Sequence, residues 1–429
     1  MIPLPEARPG RISRVRWELI GWMFVVSAIA YLDRVNISIA GQALAADFHF
    51  DNLQLGWIFG AFVIGYALFQ APGGAAADRF GPRAVLALGV VWWSVFTSLI
   101  TILPVGLPGL LLSVAACRFA LGMGESVVYP ASNCIVAAWI PSYERGIANG
   151  FIFAGVGVGA GVTPPLIAYF LQHYGWRSSF WASSALGLLA GAGWYWLARN
   201  RPAQHPRVTP GEAALIESGL PSGRGSEGAR PSWGVLLRNQ SLVAITFAYF
   251  CYGYVAYIYF TWFFIYLRTA RNLDLRQSSY YAMLPFLGMA IASPLGGYVS
   301  DRLVRRWGKR IGRCYLAAAS LGFAAIFTLL GTRVGGAALA SVVLACGVGA
   351  LYFSQSTFWS ASADIGGRAA GAASGFMNMG AQTGSAVTAL VTPRLAAHFG
   401  WPASFAAAAA LAAAGALAWL FAKPEEDSA

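Results

Sequence analysis

A chain of 429 residues that is 57% hydrophobic and only 11% charged is neither a disordered segment nor a water-soluble domain. Its formal net charge of +12 would point to nucleic acid in a soluble protein. Here the basic residues fall on alternate loops between apolar runs, a membrane pattern that sets nucleic acid aside.

A bilayer-spanning helix needs ~20 mostly apolar residues, so the chain has room for about twelve spans. Arg8, Arg11, Arg14 and Arg16 precede an apolar run too long for a cleaved leader, which is therefore read as the first span. The apolar runs place spans at 17–41, 54–76, 84–103, 110–139, 146–170 and 179–199. A polar stretch rich in Pro, Gly, Arg and Ser follows, and six more spans lie at 241–267, 278–300, 314–331, 338–361, 372–392 and 403–422. The expected organisation is an N-terminal six-helix bundle over 1–199, a cytoplasmic linker over 200–240 and a C-terminal six-helix bundle over 241–429. Within the linker, Thr209-Pro210-Gly211-Glu212 reads as a capping box opening a short surface helix. One side of the membrane receives 21 basic residues and the other 6, which places both termini in the cytoplasm. The 16 Trp and 18 Tyr suit interfacial belts, with many left over for packing. The five cysteines lie in or at the ends of apolar runs without a CxxC pair, and read as small buried residues.

The first span carries Tyr31-Leu32-Asp33-Arg34-Val35-Asn36 between apolar residues on both sides. A charge near the bilayer centre costs ~3 kcal/mol on insertion scales, so such residues mark a wet cavity or a partner. The bland reading is a pair snorkelling at the interface. The fourth span adds Arg118 and Glu125, seven residues apart and close to one helix face. A neutralised structural network would account for all four. The functional reading makes Arg34 and Arg118 anion anchors, because a guanidinium keeps its proton and its planar fork matches a carboxylate. Asp33 and Glu125 then load and unload protons as a cavity alternates, which gives proton-coupled anion uptake.

The halves repeat. Gly73-Gly74 and Asp78-Arg79 return as Gly296-Gly297 and Asp301-Arg302 at an offset of 223. Gly146, Gly150, Gly155 and Gly159 return as Gly371, Gly375, Gly380 and Gly384 at an offset of 225. Two like halves in parallel arrangement are the sequence sign of an alternating-access transporter. Asp33 and Arg34 have no counterpart, since the offset lands on Ala256 and Tyr257, and that asymmetry favours function over scaffold. The glycines at 155, 157, 159 and 161 read as close helix packing, and Pro164-Pro165 as a kink or break.

Tyr31-Leu-Asp-Arg-Val-Asn36, the Gln70-Ala-Pro-Gly-Gly74 end of span two and Asp78-Arg-Phe-Gly-Pro-Arg83 together resemble the major facilitator superfamily. Within it the chain resembles the anion:cation symporter family of bacterial sugar-acid and aromatic-acid permeases and vesicular glutamate transporters. The resemblance implies an all-α membrane protein of twelve transmembrane helices in two six-helix bundles related by a pseudo-two-fold axis. It implies Asp33 and Glu125 as the protonatable pair and Arg34 and Arg118 as the anion-binding pair, with Tyr31, Tyr66 and Asn378 as substrate contacts. It implies Asp78, Arg79 and Arg83, with Glu144 and Arg145, as a cytoplasmic gate. Some relatives place a polar amide early in span seven, where this chain has Tyr249, which is expected as a further substrate contact. That span is rich in rings, which are either packing and lipid-facing groups or a cavity wall for a flat acid. In the second half Asp301-Arg302 is followed by Leu303-Val304-Arg305-Arg306, so the tight-turn motif is degraded there.

The expected protein is thus a multi-pass, monomeric symporter of the bacterial inner membrane. It imports a small carboxylate such as a hexonate, hexuronate, aldarate, tartrate or aromatic acid, with H+ rather than Na+ as coupling ion and no cofactor. The nearest rival is a proton-coupled drug or metabolite antiporter. Gly159-Ala-Gly-Val-Thr163-Pro164 lacks the Gly-Pro-x-x-Gly-Gly element expected of that class. A transport-dead sensor is a further alternative. His49, His173, His205 and His398 form no HExxH, and no GxSxG is present, which argues against an enzyme.

Overall fold

The computed structural model describes residues 12–50, 52–220, 234, 238–273 and 275–423, among which there is no β-strand. The first group of helices comprises α1 (Val15–Phe48), α2 (Asn52–Phe80), α3 (Pro82–Leu99), α4 (Leu110–Glu125), α5 (Val128–Trp139), α6 (Arg145–His173) and α7 (Trp176–Leu197). The short helix α8 (Pro210–Ser218) follows. The second group comprises α9 (Gln240–Thr261), α10 (Phe263–Thr269), α11 (Leu275–Lys309), α12 (Leu316–Arg333), α13 (Ala337–Phe353), α14 (Gln355–Gly366), α15 (Ala370–Phe399) and α16 (Trp401–Leu420). A π-helical stretch, Arg310–Tyr315, joins α11 to α12. With α4–α5, α9–α10 and α13–α14 counted as broken rods, the described residues form twelve rods, six before α8 and six after it.

The breaks depart from expectation, since 110–139, 241–267 and 338–361 each read as one span. Two of them coincide with a serine bonded back to its own helix. The Ser126 hydroxyl donates to the Met123 carbonyl at 2.6 Å, and the Ser354 hydroxyl to the Leu351 carbonyl at 2.6 Å. Such bonds compete with the helical ladder where they occur. Conversely, α6 runs unbroken through 164–165, where the tandem prolines read as a kink. In a bilayer no water competes for the freed carbonyls, and neighbouring helices and small adjustments can accommodate Pro within a span. Cys346 is also exposed on α13, while the other four cysteines are buried.

Helix α8 forms as its sequence dictates, with the Thr209 hydroxyl accepting from Glu212 N at 3.4 Å. Glu212 does not turn back to close a box. It is wholly buried, and its carboxylate accepts from Val15 N at 3.1 Å and Arg16 N at 3.2 Å, the first turn of α1. This marks one face of the protein, the linker face, where Ser142 N also donates to Gly219 O at 2.8 Å.

The two groups meet along two seams on this side, α6 against α11 and α2 against α15. Glycine makes the seams possible. A Cβ at Gly74 would strike the Gly371 carbonyl, and one at Gly297 would strike the Gly146 carbonyl. Both contacts join repeat-related positions, so the internal repeat is read out as a symmetric backbone approach.

Candidate functional site

Halfway along α1, Asp33 and Arg34 point in different directions from neighbouring positions. Arg34 Nε donates to Glu125 Oε1 at 2.6 Å, and its guanidinium carbon lies 4.1 Å from the Tyr66 ring centroid and 4.9 Å from that of Tyr31. These rings face a cation with their electron-rich sides. Arg118, only 3% exposed, lies 4.7 Å from the centroid of Phe62. Among the described residues it makes no hydrogen bond or ion pair, and its Nε is wholly buried. Asp33 is 4% exposed, and neither of its oxygens has a hydrogen-bond partner among the described residues. Ser183 and Trp93 approach it without closing a bond. Asn36, last in the motif, ties α1 to α7 by donating to Ser183 Oγ at 3.1 Å and accepting from Ser179 Oγ at 3.0 Å.

These groups stand beside a cavity of about 260 Å³ between the two groups of helices. Tyr31, Arg34, Tyr66, Arg118, Tyr249 and Asn378 line it. Six of the eight residues singled out for substrate or proton work therefore converge on one space. Asp33 and Glu125 sit behind the wall, where Glu125 reaches the cavity only through Arg34. Asn378 Nδ2 donates to Gln70 Oε1 at 2.9 Å, which links α15 to α2 at the cavity edge.

The ring-rich seventh span divides by helical face. Tyr249, Tyr252, Tyr257 and Phe260 line the cavity, whereas the buried Tyr254 and Tyr259 pack within the second group. The Tyr249 hydroxyl accepts from Gln355 Nε2 at 2.8 Å and from Trp359 Nε1 at 2.9 Å. Trp359 in turn closes on the first group, with its ring centroid 5.6 Å from that of Tyr129 and 5.3 Å from that of Phe153. Gln355 and Trp359 were not singled out from sequence, whereas Tyr252 belongs to the ring-rich seventh span, for which a cavity wall was one of the two readings.

Toward the linker face, four hydrogen bonds close the seams. Asp78 accepts from Gly371 N at 3.1 Å and Ala372 N at 2.8 Å, the first turn of α15. Asp301 accepts from Gly146 N at 2.8 Å and Ile147 N at 2.7 Å, the first turn of α6. Each group thus places a carboxylate on the positive end of a helix of the other. Arg313 Nη1 pairs with Asp301 at 2.9 Å while its Nη2 donates to Ser142 O at 2.8 Å. Arg145 pairs with Asp364, both fully buried, and Lys309 Nζ lies 3.7 Å from the same carboxylate.

Of the five residues expected at a gate, Asp78 and Arg145 cross between the groups. Arg79 lies over Phe80, Arg83 Nε donates to Tyr195 O at 2.9 Å, and Glu144 pairs with Arg16 at 3.2 Å, all within the first group. Asp301, in the degraded motif, does what Asp78 does. The repeat offset that relates the two was the signal for it. Arg313, Asp364 and Lys309 carried no such signal, being charges at the end of an apolar run like any others.

Residues 23–388 match the description Major Facilitator Superfamily. The chain is 34% identical over 419 residues to the probable sulfoacetate transporter SauU of Cupriavidus necator, covering 96% of this chain and 94% of that one. It is 32% identical over 308 residues to the probable galactarate/D-glucarate transporter GudP of Bacillus subtilis, covering 69% and 67%. Among solved structures, the proton:xylose symporter XylE bound to 6-bromo-6-deoxy-D-glucose superposes with a TM-score of 0.74 at 16% identity over 94% of each chain, a likeness of fold alone. The twelve rods, the two seams and the central cavity agree with these matches, and the chain belongs to the major facilitator superfamily as a membrane transporter, not an enzyme.

Proposed function

We propose that the protein imports a small organic anion across a bacterial inner membrane by alternating access, driven by protons, with the linker face in the cytoplasm. It works as a monomer, and its two halves, 1–199 and 241–429, rock about the central cavity. One observation carries the reading. The cavity holds two buried guanidiniums, of which Arg34 is neutralised by Glu125 and Arg118 is not. A buried cation without a partner is an unstable arrangement, and an entering carboxylate or sulfonate relieves it.

Protons enter through the acids. With Asp33 and Glu125 ionised, the four charged groups sum to zero, so the net pull on an anion is weak and falls to Arg118, which no acceptor holds among the described residues. Protonating Glu125 frees Arg34 from its pair and protonating Asp33 removes the negative charge near Arg118, so protons and an anion load together. Loss of the proton on the cytoplasmic side restores the pair and expels the anion. Relatives named for sulfoacetate and for galactarate and glucarate support the anion class.

The test is uptake into proteoliposomes of labelled sulfoacetate, glucarate and 4-hydroxyphenylacetate at pH 6 outside and pH 7.5 inside. At least one should accumulate, and accumulation should vanish when the pH gradient is collapsed. Export of lipophilic cations with no flux of any acid would replace this reading with an antiporter.

A further inference from the structure

On the wall opposite the two arginines, the second group of helices presents buried polar atoms without a hydrogen-bond partner among the described residues. Gln355 Oε1 and the Tyr252 hydroxyl are buried, both residues line the cavity, and neither atom closes a hydrogen bond among the described residues, although the Tyr352 hydroxyl approaches that of Tyr252. The Gln355 side chain is not free to swing away. Its Nε2 is engaged by the Tyr249 hydroxyl, which also takes the Trp359 N–H. An indole N–H only donates, so Tyr249 must accept from Trp359, and the amide group is held beside it. Buried polar atoms in native proteins are normally paired, and an orphan acceptor inside a binding cavity is a place for a ligand's donor.

Between this wall and the arginines the surface is ring after ring: Phe62, Tyr129, Phe153, Tyr257, Phe260 and Trp359. Flat faces of this kind hold a flat body well. A dry cavity of ~150 Å³ takes a benzene ring, and this one has about 260 Å³.

Resting on the anion reading above, we infer that Gln355 and Tyr252 form a second recognition point, and that the substrate is a flat, aromatic monocarboxylate with a hydrogen-bond donor, a hydroxyl or amino group, at the end remote from its acid. The acid end lies on Arg34 and Arg118. The ring lies among the aromatic side chains. The donor end reaches Gln355 Oε1, with the Tyr252 hydroxyl beside it. Trp359 both orients Gln355 through Tyr249 and seals against Tyr129 and Phe153 on the way to the linker face. The donor end of the substrate therefore touches the group from which the inner seal hangs. A hexonate or aldarate lacks the flat face, and sulfoacetate has neither a ring nor a hydroxyl or amino donor.

Affinities of the purified protein near pH 6, from thermal shift or calorimetry, test this with 4-hydroxyphenylacetate, phenylacetate, 4-carboxyphenylacetate, glucarate and sulfoacetate. The hydroxylated acid should bind about tenfold tighter than phenylacetate, the worth of one buried hydrogen bond. Gln355→Leu should erase that preference, read as the ratio of the two affinities in the folded variant, and Tyr252→Phe should reduce it. Tighter binding of 4-carboxyphenylacetate than of 4-hydroxyphenylacetate would mean that the Gln355 amide presents its NH2 to the cavity, and would overturn the inference. So would tighter binding of glucarate or sulfoacetate than of every aromatic acid. A protein that binds none of these acids in an Arg118-dependent way removes the anion reading itself, and this inference with it.

Discussion

Arg34 and Arg118 are the same residue type in one cavity wall and do different things. Arg34 is held by Glu125 and enclosed by Tyr31, Phe62 and Tyr66, whereas Arg118 touches a single ring and no acceptor. In the proposed cycle Arg118 is the standing attraction and Arg34 the one released by protonation. Hydrogen bonds to charged groups contribute ~1.5–3 kcal/mol, so Arg118→Ala should weaken binding of the best acid ~10- to 100-fold. Arg118→Lys should recover only part of this, because an ammonium lacks the bidentate fork. Calorimetric titration of the folded variants decides it, and an unchanged Kd for Arg118→Ala would rule Arg118 out as an anchor. The sequence made both arginines visible, since a charge inside an apolar run stands out against its neighbours. It could not separate them, because the difference lies in which acid each reaches across helices. Gln355 was invisible for the opposite reason: a neutral polar residue on an apolar helix does not stand out at all.

At the scale of helices, the seams are set by small residues and by carboxylates on helix starts. Gly146 and Gly297 approach so closely that any side chain at 297 must push the α6 backbone away, and the bonds from Gly146 N and Ile147 N to Asp301 would stretch with it. Gly297→Val should therefore open the linker face, and Asp301→Asn should do so more mildly by weakening the charge on the α6 N-terminus. Cys134 is a built-in reporter: its thiol lies 3.2 Å from Asp78 on the other seam. With the other four cysteines replaced by Ala, maleimide should label Cys134 severalfold faster in both variants, read in vesicles that expose the linker face. An unchanged labelling rate in folded Gly297→Val would mean that this glycine contact does not hold the seam shut. The repeat of Gly73-Gly74 and Asp78 as Gly296-Gly297 and Asp301 was plain in the sequence, but not which glycine meets which. The broken rods were not legible, because a serine hydroxyl folding back on its own helix leaves the hydropathy profile intact. Neither were Arg313 and Asp364, whose pairings depend on how the two groups dock.

For the molecule as a whole, the contacts between the two groups among the described residues gather toward the linker face. Toward the linker face lie both seams, the Asp78 and Asp301 bonds, the Arg145–Asp364 pair and the Trp359 stack. Toward the opposite face, among the described residues, the Tyr31 and Phe260 rings meet beside the cavity at 6.0 Å between centroids. This is the arrangement of a carrier closed to the linker face. Opening that face means breaking the buried Arg145–Asp364 pair and the Arg313–Ser142 bond in one movement, and separating a buried pair without new partners costs several kcal/mol. A bound anion can contribute to that step only through contacts it makes better in the rearranged state. Protons supply the direction in the proposed cycle, which gives a separable prediction. In Asp33→Asn the site keeps its arginines, so exchange of unlabelled for labelled acid across proteoliposomes should persist. Accumulation driven by a pH gradient should fall to the level of passive equilibration, because one proton carrier is fixed in its neutral form. Arg118→Ala should lose exchange and accumulation together. If Asp33→Asn instead abolished exchange while binding the acid normally, Asp33 would belong to the moving machinery of the seams and not to proton coupling. If it still accumulated the acid at the full gradient, the proton would travel through Glu125 alone.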